Sequence, residues 1–407
     1  MTKEDFFEII TRNLPVTRKS DDFLADVSAV YDCFVSNVYE IEIDAFGGED
    51  VKNSTLQIIE EQIATIKDVL STYLGGCHGE AFQKLKTHLI NNGEKSLDLK
   101  VITIRKTQES GCYYYRARKN DGTIKSFKNM FHIPNNQREI VKTERFSVPG
   151  YPCLYLGNTV FDCWEEMGRP SFEELFFSGY KVVNEFKVYD LRKPTKEELD
   201  KEQLSKTLER LVLVIACQFI VRKKDAPFKP EYIIPQLVME IIVSMNRKQL
   251  IDERGPFHLV WGVVFTSTCL SSDFEYQEDY LENIVIPVVD TKNEHCGYLA
   301  SLFEVSEPLC YRYEELKEMQ NGLLWETIDD VQKDEIKQEY ELTKMGFLER
   351  RLKQNAKYGQ LEHVVLDCPQ VVKIGPEGGS FEVPLYAGGS WNLEVSDFKE
   401  KNLNEPK

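Results

Sequence analysis

The stretch that most constrains this chain runs from Arg145 to Glu166: Arg-Phe-Ser-Val-Pro-Gly-Tyr-Pro-Cys-Leu-Tyr-Leu-Gly-Asn-Thr-Val-Phe-Asp-Cys-Trp-Glu-Glu. Pro149, Gly150 and Pro152 punctuate a turn, because proline fixes φ and glycine tolerates positive φ. Cys153, Leu154, Tyr155 and Leu156 form an apolar run of strand length. Asn158 or Thr159 can cap a helix that carries Trp164, Glu165 and Glu166 in its first turns. An arginine before the turn, a tyrosine on the strand and a carboxylate on the helix can therefore converge. The same residues also read as a surface arginine, a core tyrosine and acids at a helix start, where the dipole favours them in any case.

The flanks differ in texture. Residues 1–95 read as a helical extension. Val27, Val30, Tyr31 and Phe34 recur at helical spacing, and so do Leu56, Ile59, Ile63, Ile66, Leu70 and Tyr73 after a cap at Ser54, with Gly47-Gly48 breaking the chain between the two runs. Residues 96–310 are mixed. Strands are expected at Val101–Ile104, Cys112–Tyr115, Val182–Leu191, Trp261–Phe265 and Asn283–Val288, and helices around Leu208–Phe219 and Tyr232–Met245. Arg116 and Arg118 follow the second strand on one face, where their planar forks suit a diphosphate. Residues 311–407 turn charged and helical, then β-rich, with disorder expected after about Phe398.

Composition narrows the function classes. A formal net charge of -17 without a basic block argues against nucleic acid as a partner and against anionic membranes. No apolar run reaches transmembrane length, and Met-Thr-Lys-Glu-Asp-Phe-Phe lacks the build of a secretory signal, so a cytoplasmic protein is expected. The 10 cysteines are scattered singly without C-x-x-C spacing, which leaves no metal site to expect. No G-x-G-x-x-G follows a strand, against a dinucleotide-binding dehydrogenase.

Three separated pieces match one pattern in order: Tyr115-Arg116-Ala117-Arg118, then Arg145 through Glu166, then Phe265-Thr266-Ser267. Over about residues 110–290 the chain resembles the RES domain of bacterial toxin–antitoxin systems, named for its Arg, Glu and Ser positions. The Arg falls on Arg116, with Arg118 as a second. The Glu falls on Glu166 or its neighbour Glu165, and the Ser on Ser267. Thr266 stands where relatives commonly have proline. The resemblance implies an α+β fold with an ADP-ribosyltransferase-like sheet core. It also implies an enzyme that consumes NAD⁺ as substrate, needs no resident cofactor, and in some relatives uses inorganic phosphate to displace nicotinamide.

On that reading Arg116 and Arg145 hold the diphosphate, Tyr155 stacks on the nicotinamide or ribose, Glu166 stabilises an oxocarbenium-like state and Ser267 orients the ribose. Transfer of ADP-ribose to a protein or nucleotide acceptor, and a non-catalytic binding module, are the alternatives. A growth-arresting enzyme of this kind implies a separate antitoxin over the Arg116/Glu166 cleft.

Overall fold

The computed structural model describes residues 1–90, 100–107, 113–195, 198, 203–251, 259–269, 281–291, 293–310, 344–354, 358–359, 370–374 and 379–383. Four helices open the chain: α1 (Lys3–Arg12), α2 (Phe23–Glu40), α3 (Glu49–Leu74) and α4 (His78–Ile90). Thr2 and Asp5 form a reciprocal cap on α1, and Asp22 caps α2 through Ala25 N at 3.0 Å. Gly47 and Gly48, both at positive φ, separate α2 from α3 as expected from the glycine pair. The expected start at Ser54 is corrected: α3 begins at Glu49, with Glu49 and Asp50 in the first turn where the helix dipole favours acids.

The apolar stripe of α3 (Leu56, Ile59, Ile63, Ile66, Leu70) is buried. It packs with α6 (Leu204–Cys217) and α7 (Ile233–Ile251) in a core that reaches Val263, Phe265 and Val285 of the sheet. Tyr31 Oη donates to Val212 O at 2.7 Å, and Arg18 lies 2.7 Å from Glu231 and 3.4 Å from Asp26 with all three side chains almost fully buried. The N-terminal helices thus share one core with α6, α7 and one face of the sheet.

The sheet contains β1 (Val101–Ile104), β2 (Tyr113–Lys119), β3 (Cys153–Gly157), β4 (Leu175–Val182), β5 (Phe186–Leu191), β6 (Val260–Thr266), β7 (Glu282–Pro287), β8 (Phe303–Ser306), β9 (Leu309–Cys310) and β10 (Tyr358–Gly359). Its order is β1-β5-β6-β7-β3-β2-β4-β8-β10, with β9 also on β4. Only β5–β6 is parallel among these pairs. The fold is α+β. The strand expected over Val182–Leu191 is shorter: β5 begins at Phe186, and Val182 is the last residue of β4, which lies in the other half of the sheet.

Among the described residues those halves are paired in register at one position. β3 and β2 pair only through Tyr115 and Gly157, whereas β2 pairs with β4 over seven positions and β3 with β7 over five. The sheet therefore opens between β2 and β3. Helix α5 (Val160–Glu166) follows β3 directly, capped by Thr159, whose Oγ1 accepts from Asp162 N at 2.9 Å. Gly157 lets α5 settle on the strand: a Cβ there would stand 3.0 Å from Cys163 Sγ and 3.1 Å from Asp162 Oδ2.

Of the C-terminal segment, α8 (Lys344–Gln354) packs Leu348 and Leu352 against Val160, Cys163 and Phe177. Strands β11 (Gln370–Ile374) and β12 (Gly379–Val383) form a separate hairpin. The rest of the β-rich stretch beyond residue 383, and the tail after Phe398, lie outside the described residues. No helix among the described residues is long and apolar enough to cross a membrane.

Candidate active site

Register decides which side chains meet. Gly157 pairs with Asn283, and Asn283 with Phe265, so these three share the sheet face on which α5 lies. Ser267 follows β6 by one residue. Helix α5 stops where Gly168 adopts a φ of 79°, which leaves Glu166 on the last turn facing these strands.

There the Glu166 carboxylate is held. Ser267 Oγ donates to Oε1 at 2.7 Å, and Asn283 Nδ2 donates to the same oxygen at 2.8 Å. Among the described residues the second oxygen, Oε2, meets the Cys269 thiol, at 3.3 Å. Burial, and then the charge of Glu166, pushes the Cys269 thiol up, so it stays protonated at neutral pH and serves as a weak donor. Ser267 is itself fixed, accepting from Cys269 N at 3.2 Å, while its own N–H donates to Leu281 O at 3.0 Å. Gln218 Nε2 holds the preceding carbonyl, Thr266 O, at 3.0 Å.

The other expected site residues divide around this pair. Arg145 is buried on the same side: Nη2 donates to Thr268 Oγ1 at 2.7 Å and Nη1 to Cys217 O at 3.0 Å, with the guanidinium 5.2 Å over the Tyr232 ring. Tyr155 shares the Gly157 face, one pair further along β3. Burial raises its phenol well above the ordinary value, with Glu144, Tyr232 and Glu166 among the neighbouring groups, and its Oη has no hydrogen-bond partner among the described residues.

Glu165 turns away: its carboxylate lies 2.8 Å from Arg169 Nε. Between the two candidate acids, only Glu166 reaches Ser267. Arg116 is not in contact with Glu166. Tyr115 shares the Gly157 face, so Arg116 and Arg118 alternate to the other one. Arg116 Nη1 reaches Tyr155 O at 3.4 Å across the β2–β3 opening, and its buried Nε has no hydrogen-bond partner among the described residues. Arg118 Nη1 donates to Asn129 O.

Three residues in this arrangement were not singled out by sequence: Asn283, Cys269 and Asp162. Asn283 carried one signal, a polar residue entering the apolar run Ile284-Val285-Ile286. No group of three or more His, Cys, Asp or Glu among the described residues could hold a metal ion.

The class that fold and site define is an α+β protein in which a carboxylate is fixed through one oxygen beside a sheet that splits between β2 and β3, with an arginine and a tyrosine at the split. The comparisons point in a compatible direction. The chain is 28% identical over 319 residues, 74% of its length and 68% of the other's, to a protein of Bacillus subtilis (strain 168) named "Putative toxin YopC". No family model matches the chain, and no solved structure matches it.

Proposed function

We propose that this chain is a toxin-like enzyme of the RES type that cleaves the nicotinamide–ribose bond of NAD⁺. The carrying observation is the contact of Ser267 and Asn283 with one oxygen of Glu166, at 2.7 and 2.8 Å. Residues far apart in sequence are brought together so that, among the described residues, Oε2 meets a thiol as its hydrogen-bond donor. Similarity to a protein named as a toxin supports the same reading.

The chemistry follows from the charges. As the C–N bond breaks, nicotinamide leaves as a neutral base with the bonding pair, and positive charge develops on the ribose. A fixed carboxylate stabilises that charge without reorganising, which is where electrostatic catalysis gains most. Glu166 Oε2 would exchange the weak S–H donor for a ribose hydroxyl. Arg116, with an unbonded Nε, and Arg118 would take the diphosphate. Tyr155 would pack against the ring. Arg145 already donates to Thr268 and Cys217, and so would act by holding the Thr266–Cys269 turn. The acceptor, water or inorganic phosphate, adds to the ribose carbon.

Such an enzyme calls for restraint, and a separate antitoxin protein over the opening would supply it. Helices α1–α4 would not, since their apolar residues are packed against α6 and α7.

The test is purified protein incubated with NAD⁺, with and without phosphate, with Glu166→Gln as control. Nicotinamide with ADP-ribose 1″-phosphate means phosphorolysis, and with free ADP-ribose means hydrolysis. Label carried from the adenine end onto a macromolecule means ADP-ribosyl transfer. Loss of NAD⁺ unchanged in Glu166→Gln would sink the proposal.

A further inference from the structure

The Ser267 hydroxyl meets Glu166 at 2.7 Å only while the peptide that carries the serine is aimed correctly. That peptide joins Thr266 to Ser267, and both of its polar atoms are held. Ser267 N donates to Leu281 O at 3.0 Å, and Thr266 O accepts from Gln218 Nε2 at 3.0 Å. The first bond comes from the residue before β7, the second from the residue after α6. The plane is thus gripped from two sides, and turning it would swing the serine side chain off Glu166.

Gln218 does little else with its side chain. It is 0% exposed, and it closes α6 through its backbone, whose N–H bonds to Ile215 O at 3.1 Å. Its Oε1 has no hydrogen-bond partner among the described residues. A buried amide oxygen without a donor opposes folding, and an apolar side chain would avoid that cost. What the amide contributes is therefore the direction of one N–H, towards Thr266 O. The chain around it is well anchored for that task. Gln218 O accepts from Val16 N at 2.9 Å, Ile220 N donates to Val16 O at 2.8 Å, and Cys217 O accepts from Arg145 at 3.0 Å. The Phe219 ring meets Phe23 edge-on at 5.3 Å.

We infer that Gln218 is a positioning residue: it fixes the Thr266–Ser267 peptide and through it the direction of Ser267 Oγ onto Glu166. Through Val16 and Phe23 the N-terminal segment is the outer support of this turn. The effect on turnover rests on the proposed NAD⁺ cleavage; the grip on the peptide does not.

The full chain is compared with Gln218→Leu and Gln218→Met, which keep bulk and remove the donor. Nicotinamide release, urea unfolding and amide hydrogen exchange are measured on each. Urea midpoints should stay close to wild type, because the lost bond is offset by removal of the unpaired oxygen. At unchanged KM, kcat should fall about fivefold, the worth of one neutral hydrogen bond. The Ser267 and Cys269 amides should exchange about tenfold faster while those of Leu154 and Leu156 do not change. In a Ser267→Ala background the same substitutions should alter kcat by less than about twofold, since the hydroxyl they act through is gone.

A kcat within about twofold of wild type would overturn the inference, and so would an equal loss with and without the Ser267 hydroxyl. Midpoints far below wild type in both variants would make the amide a stabilising group and overturn it as well. A wild type that releases no nicotinamide refutes the NAD⁺ reading alone. Amide exchange then decides, and equal rates in wild type and variants would show that Gln218 does not hold the peptide.

Discussion

The two donors on Glu166 Oε1 make a quantitative expectation. Ser267 and Asn283 come from the ends of neighbouring strands and reach one oxygen at 2.7 and 2.8 Å, which fixes the carboxylate plane and the direction of Oε2. A hydrogen bond to a charged group contributes about 1.5–3 kcal/mol. Ser267→Ala or Asn283→Ala alone should therefore lower kcat/KM by about 10- to 150-fold, at about 1.4 kcal/mol per decade. The loss should sit mainly in kcat, because the carboxylate acts on charge that appears in the transition state. Both donors serve one oxygen, and losing either frees the carboxylate to swing, so the double variant should fall short of the product of the two singles. The assay is nicotinamide release, with urea melts to confirm folding. Folded single variants within about twofold of wild type would refute the claim that orientation of Glu166 governs turnover. A fully multiplicative double variant would refute the shared-oxygen account.

Cys269→Ser replaces a weak S–H donor with a hydroxyl at Oε2 and should raise KM for NAD⁺ about fivefold, one neutral hydrogen bond's worth of competition. Cys269→Ala should leave KM at or below wild type, and equal KM values in the two variants would remove the competition argument. Arg18→Met takes the counter-charge from the buried Glu231 and Asp26, leaving each its backbone donor (Arg222 N and Ser20 N), and should cost about 3–5 kcal/mol in urea unfolding; a loss under about 1 kcal/mol would show that the pair is dispensable. Glu349→Ala removes the acceptor that Val160 N meets at 2.7 Å at the start of α5, and should cost about 1–3 kcal/mol and lower kcat by loosening Glu166; unchanged melts would contradict it. His132 has both ring nitrogens engaged, Nδ1 with Ile133 O at 2.7 Å and Nε2 accepting from Cys296 N at 2.8 Å, and burial pulls it down to about 3. The unfolded chain takes up the proton first, so stability should fall by up to ~1.4 kcal/mol per pH unit as pH drops from about 6.5 toward 3. His132→Gln should flatten that slope, as read from urea midpoints.

Much of the local structure was legible because it depends on neighbours in sequence. Pro149 to Pro152, the run from Cys153 to Leu156 and the cap at Thr159 are short-range signals, and they gave a turn, β3 and α5 in that order. The apolar stripes of α2 and α3 were equally plain. Their destination was not, since nothing in a stripe says whether it meets α6 or folds over a cleft. Asn283 and Asp162 were missed for a different reason. A lone asparagine entering a strand and an aspartate in the first turn of a helix are ordinary residues until register and burial are known. Register shows that Asn283 stands beside Gly157, and burial shows that Asp162 is cut off from water.

Arg116 and Glu166 carry the further step. Sequence order makes them members of one motif, and a direct contact would be the simplest expectation. Strand alternation prevents it: Tyr115 shares the face of Gly157 and α5, so Arg116 points to the other face. Among the described residues the two halves of the sheet are paired in register only at Tyr115–Gly157, and Arg116 reaches across the opening as far as the Tyr155 carbonyl, at 3.4 Å. A ligand that meets both residues must therefore be long enough to pass through the opening, with an anionic part at Arg116 and a part that becomes cationic at Glu166. A dinucleotide with a central diphosphate satisfies that requirement and a mononucleoside does not, so nicotinamide riboside should be a far poorer substrate than NAD⁺. Equal kcat/KM for the two would mean that the arginine face plays no part in binding.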